Sequence, residues 1–117
     1  MRREKDDKVY LIDILNNIEL IERFVGNKTK SQLKKDIKTI YGILRALEII
    51  GEAAKQVSQN IKRKYPEIPW REMAGTRDKL IHHYFGIDFD IIWDIVKKDL
   101  PDLKEKIKKI LKNLNNR

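Results

Sequence analysis

Apolar residues Leu11, Ile14, Leu15, Ile18, Ile21 and Val25 recur three and four positions apart, the period that lines one face of a helix. Gly26-Asn27 supplies the conformational freedom that ends such a run, so the first predicted element is a helix closing at Val25. A second run passes through Leu33, Ile37, Ile40, Leu44, Leu47, Ala54, Val57 and Ile61, with Ser31 as its expected cap and Pro66 beyond its end. Read as one helix from Ser31 to Lys64 it spans about 50 Å, longer than a chain of this size is wide. Bends or an overhanging end are therefore expected, and Gly42 and Gly51 are the candidate bend points, with close helix packing as a second expected role for Gly51.

The stretch Tyr65 to Pro69, YPEIP, reads as a non-helical connection, because each proline removes a backbone donor and restricts the residue before it. A short turn is expected from Trp70 to Ala74. Thr76 is the expected cap of a short helix closing near Gly86, with Asp78 in its first turn. Asp88 can cap the next helix, with Ile91, Ile92, Ile95 and Val96 as apolar positions and a stop before Pro101. Pro101 fits the first turn of a last helix striped with Leu103, Ile107, Ile110, Leu111 and Leu114. No strand alternation, internal repeat, glycine-rich phosphate loop or low-complexity linker intervenes. The pattern predicts an all-α chain, one domain over residues 1–117, folded as an antiparallel bundle of four to five helices. So short a chain hides a modest share of its surface, and a homodimer is the natural way to complete its core.

The formal charge of +8 directs attention to an anionic partner, nucleic acid foremost, although a solvated lysine surface accounts for it equally well. Two stretches carry the excess. Lys97, Lys98, Lys104, Lys106, Lys108, Lys109, Lys112 and Arg117 face three acids, and the stretch from Arg23 to Lys38 has the same surplus of five. Neither has clear stacking aromatics interleaved. The absence of cysteine excludes disulfides, thiolate metal sites and cysteine nucleophiles. Nothing at the N-terminus resembles a signal peptide or membrane span, so the expected setting is cytoplasmic, away from the membrane.

Candidate chemistry is concentrated in RDKLIHHY, where Arg77, Asp78, His82, His83 and Tyr84 fall within eight residues and include both histidines of the chain. RNA carries its own nucleophile, the 2'-hydroxyl. Cleaving it needs a base for that proton, a donor for the leaving oxygen and positive charge for the phosphate, which His and Arg supply without a metal. Asp78 and His82 stand one helical turn apart, where the carboxylate can orient the imidazole, and this favours His82 over His83. Arg77 and His82 lie about 140° apart around an ideal helix, so one helix alone does not converge them; a two-fold dimer would bring a second pair alongside. Taken as residue types alone, these groups serve structural roles more often than chemical ones.

The spacing R-x4-H-x-Y at Arg77, His82 and Tyr84 resembles the signature of the HEPN superfamily. The phrases ALEIIGEAAK (Ala46 to Lys55), YPEIPWREMAGTRDKLIHHYFGID (Tyr65 to Asp88) and DLP (Asp99 to Pro101) resemble, in that order, the HepT toxins paired with MNT-type nucleotidyltransferase antitoxins. The resemblance covers most of the chain. It implies a helical-bundle homodimer that cleaves RNA, messenger or transfer, without a metal or other cofactor. It implies Arg77 as the phosphate-stabilising cation, His82 as the proton-transfer residue, and Asp78 as the polar residue that supports them. Tyr84 is then the acceptor of AMP from the antitoxin, whose added phosphates would repel RNA. Glu48 and Glu52 are expected to be structural, pairing with Arg45 or reaching Arg77. The competing reading is a non-catalytic subunit that binds a nucleotide, nucleic acid or the nucleotidyltransferase. A metal site is not expected, since neighbouring His82 and His83 diverge by about 100° and no H-E-x-x-H pattern is present.

Overall fold

The N-terminal run forms α1, Glu4–Val25, which buries Leu11, Ile14, Ile18, Ile21 and Val25 along one face. Gly26 ends it at φ 51°, a left-handed conformation that costs a glycine no Cβ clash, and its N–H bonds to the Glu22 carbonyl at 2.9 Å. The computed structural model describes the backbone of residues 4–81 and 88–116 and the side chains of residues 6–76 and 88–116.

The single long helix expected from Ser31 to Lys64 is three: α2, Lys30–Lys34; α3, Ile37–Gln56; and α4, Gln59–Lys64. Side-chain caps cause the breaks, not the glycines. Thr29, rather than Ser31, starts α2: its hydroxyl oxygen accepts from the Gln32 N–H at 3.1 Å, and the Gln32 side chain accepts from the Thr29 N–H at 2.9 Å. Asp36 caps α3 by accepting from the Thr39 N–H at 3.1 Å and the Thr39 hydroxyl at 2.7 Å. Ser58 caps α4, its hydroxyl oxygen accepting from the Ile61 N–H at 3.3 Å. The turn at Ser58 is enforced from α1. Asp7, only 4% exposed, accepts from the Ser58 N–H at 2.8 Å and the Ser58 hydroxyl at 2.7 Å. A carboxylate leaves water at this depth only if donors replace the water, so Asp7 fixes where α3 must stop.

Gly42 and Gly51 sit inside α3 and serve close approach. A Cβ on Gly51 would stand 2.9 Å from the Met73 carbonyl oxygen, and one on Gly42 would stand 3.0 Å from the Phe24 ring. The segment that meets Gly51 is α5, Trp70–Ile81. It absorbs both the turn expected at Trp70 to Ala74 and the start of the helix expected from Thr76. Thr76 does not cap: in mid-helix its hydroxyl donates to the Glu72 carbonyl one turn back, at 2.8 Å. Asp78 accordingly lies in the second half of α5, and the acid in the first turn is Glu72.

Asp88 caps α6, Phe89–Asp94, accepting from the Ile91 N–H at 3.3 Å. The stop expected before Pro101 does not occur. A single π-turn, Ile95–Asp99, joins α6 to α7, Leu100–Asn115, and the Leu100 N–H reaches back five residues to the Ile95 carbonyl. Asp94, Asp99 and Leu100 all keep right-handed helical dihedrals, so the helical path is continuous. The extra residue in the turn accommodates a proline that has no N–H and would otherwise crowd the carbonyl four residues earlier.

Among the described residues the fold is all-helical, with α1, α3, α5 and α7 as its principal helices, as the periodicity predicts. Helix α3 packs along α1 and also carries α5. Helix α7 lies antiparallel to α1: Lys104 near its start meets Glu22 at 2.8 Å near the end of α1. The amide of Asn113, near its end, donates to the Tyr65 hydroxyl at 3.1 Å. Among the described residues no helix is long and apolar enough to cross a membrane.

Candidate functional site

The helix that carries Arg77 and Asp78 is positioned by its first half. Buried Met73 packs into the core, and the Trp70 indole, also buried, donates to the Tyr65 carbonyl at 3.0 Å. Gly51 lets α5 lie against α3 almost backbone to backbone. Gly51 opposes Met73 and Ala74, and farther along α5 Thr76 shares a cavity with Leu47 and Ile50 of α3. The second half of α5 bears Arg77 and Asp78 on its backbone. The Arg77 and Asp78 side chains, and all of His82, His83 and Tyr84, lie outside the described residues.

On its other side α5 borders a groove against the π-turn and α7. One part is a cavity of about 170 Å³ with an apolar floor of Leu47, Ile50, Met73, Leu100 and Leu103. The adjoining part, about 380 Å³, shares Glu72, Thr76, Ile95 and Asp99 with it. Glu72, Asp94, Asp99 and Asp102 stand on its rim with Lys106; Asp102 pairs with Lys106 at 2.9 Å and Asp94 with Lys98 at 3.7 Å.

Glu48 forms an ion pair with Arg45 at 3.2 Å, and Glu52 pairs with Lys55 at 3.4 Å. Among the described residues two titrations are displaced. Hydrogen bonds from the Thr39 hydroxyl and then its backbone N–H, helped by the positive charges of Lys28 and Lys38, hold Asp36 below the usual carboxylate range. The hydrogen bond to Glu22, with the charges of Glu22 and Glu19, raises Lys104 above an ordinary lysine. Among the described residues, which include neither histidine, no three His, Asp or Glu side chains gather to hold a metal ion. Two placements escaped the sequence reading. Asp7 is buried although it lies in a charged run, and Tyr41, one turn beyond the Arg23 to Lys38 stretch, is an exposed aromatic beside it.

A small helical bundle whose motif helix is packed on a long central helix defines the class, and the comparisons narrow it. The family described as "Ribonuclease HepT-like" matches residues 14–110. "Probable ribonuclease HepT" of Thermococcus cleftensis is 50% identical over 109 residues, covering 93% of this chain and 99% of that one. A Methanocaldococcus jannaschii protein provisionally named an RNase is 45% identical over 111 residues, covering 95% of this chain and 92% of its own. One from Caldanaerobacter subterraneus, also provisionally named an RNase, is 43% identical over 108 residues, covering 92% and 96%. No solved structure matches the chain. The chain belongs to the ribonuclease HepT-like family of the HEPN superfamily.

Proposed function

We propose that the chain is a metal-independent RNA endonuclease that acts as a homodimer, and that it is the toxin of a pair whose antitoxin is an MNT-type nucleotidyltransferase. The observation that carries the reading is the R-x4-H-x-Y spacing of Arg77, His82 and Tyr84 in a chain of this family. In the proposed reaction a neutral His82 imidazole takes the 2'-hydroxyl proton, and the 2'-oxygen forms a bond to phosphorus. The bond from phosphorus to the 5'-oxygen breaks, and that oxygen takes a proton from an imidazolium, the His82 of the second copy in the dimer. A cyclic phosphate and a free 5'-hydroxyl result. Arg77 neutralises the charge that builds on the phosphoryl oxygens, and Asp78 holds the imidazole.

Neutralisation works at Tyr84. Its hydroxyl oxygen attacks the α-phosphorus of a nucleoside triphosphate held by the antitoxin, pyrophosphate leaves, and the AMP retained beside the cleft repels RNA. The test is cleavage of end-labelled total RNA and transfer RNA in EDTA, by wild type and by His82→Ala of verified equal folding. A loss of about 10²- to 10⁴-fold in rate is expected of the variant. Equal cleavage by both proteins would remove His82 from the reaction.

A further inference from the structure

Four large apolar side chains are exposed among the described residues, and two of them stand one turn apart on α3: Ile37, 56% exposed, and Tyr41, 61% exposed. Lysine surrounds this pair. Residues 28 to 38 hold five lysines against one aspartate, and Lys34, Lys35 and Lys38 are on the surface. Lys38 precedes Tyr41 by three positions and so neighbours its ring on the helix surface. Three peptide units separate Lys34 from Ile37, which keeps their Cα atoms within about 11 Å. The single acid, Asp36, has its carboxylate engaged with Thr39 at 2.7 Å and 3.1 Å. Arg45 is held by Glu48 and Lys30 by Asp90, at 3.2 Å and 3.1 Å.

The patch lies on the same helix as Gly51, where α3 meets the backbone of α5 at Met73 and Ala74, and from Gly51 back to Tyr41 the rise along α3 is about 15 Å.

We propose that Tyr41 is a stacking platform for one unpaired base of RNA, with Lys34, Lys35 and Lys38 holding the flanking phosphates. It seats a single strand at the N-terminal end of α3. The chemistry requires a single strand: an exposed phenol ring offers a flat face, and a base inside a duplex has no free face to meet it. Charge complementarity favours RNA, whose phosphates match the cluster of Lys34, Lys35 and Lys38 beside the ring. This assignment rests on the reading of the chain as a ribonuclease and names the residue that positions its substrate.

The experiment measures fluorescence anisotropy of a labelled single-stranded 12-mer RNA, and of the same sequence as a blunt duplex. The full chain is used, in the His82→Ala background so that the probe stays intact. Tyr41→Ala is expected to weaken binding of the single strand about tenfold, to leave duplex binding unchanged, and to be rescued by Tyr41→Phe, which keeps the ring. Unaltered single-strand binding in Tyr41→Ala, or a Phe variant as weak as Ala, overturns the proposal. So does a changed sedimentation coefficient in Tyr41→Ala, which would make this face a contact between copies. Binding is read without a cleavage step. A wild-type chain that cuts no RNA therefore defeats the nuclease reading and leaves this measurement standing.

Discussion

The two lysine-rich regions look alike in sequence, each with a surplus of five positive charges, and the fold treats them oppositely. Around α7 the lysines meet acids at helical spacing: Lys98 reaches Asp94 at 3.7 Å, Lys106 reaches Asp102 at 2.9 Å and Lys108 reaches Glu105 at 3.9 Å. Lys104 crosses to Glu22 of α1, and Lys97 lies 5.0 Å over the Trp93 ring. Much of that positive charge is spent within the protein. At the α2–α3 junction Lys34 and Lys35 form no ion pair among the described residues, and Lys38 feels Asp36 only at longer range. Net charge per segment therefore misjudges a surface; the spacing of acids along each helix decides how much field is left for a partner.

The strongest way to break this comparison is to neutralise each region in turn. Changing Lys34, Lys35 and Lys38 together to Gln is expected to weaken single-stranded RNA binding at least tenfold. It should also reduce the slope of log affinity against log salt by about 2, since each phosphate that is no longer neutralised lowers it by some 0.7. Changing Lys98, Lys106 and Lys108 to Gln should barely move either quantity. Equal losses from the two triple variants, in a salt titration by anisotropy, would make the two regions equivalent.

Next in size is Gly51→Ala. The added methyl meets the Met73 carbonyl oxygen at 2.9 Å, and both atoms belong to packed helices that cannot step aside cheaply. A loss of about 1–3 kcal/mol is expected in urea unfolding. An unchanged midpoint would mean that α5 does not depend on that close approach.

The smallest effect concerns acid. The folded-state pKa of Asp36 lies below its unfolded value, so its stabilising contribution is present above the unfolded value and is lost as pH falls below about 4 toward the folded one. Asp36→Asn keeps an acceptor for the Thr39 N–H but removes that titration. Stability measured from pH 5 down to pH 2 should therefore decline less steeply in the variant than in the wild type. Parallel declines would show that this cap does not respond to acid.

Much of the fold was legible along the chain, because helical periodicity and end signals are local. The apolar face of α1, the stop at Gly26, the Asp88 cap and the stripe of Leu103, Ile107, Ile110 and Leu114 follow from spacing alone. The proposed chemistry was legible for the same reason, since Arg77, His82 and Tyr84 form a short linear pattern; their mutual geometry lies outside the described residues.

What sequence spacing could not determine depended on partners distant in the chain. The break at Ser58 requires Asp7, fifty-one positions away, whose burial no local pattern reveals. Gly51 reads equally as a bend point and as a site of close helix packing until α5 is seen against it, and Pro101 reads as a stop until a π-turn carries the helix through. Local hydrogen-bond and periodicity signals determined which segments are helical. Packing decided where they are cut, which glycines serve close approach, and which of two equal clusters of lysine is left to face a partner, because those outcomes depend on distances between residues that the order of the chain does not contain.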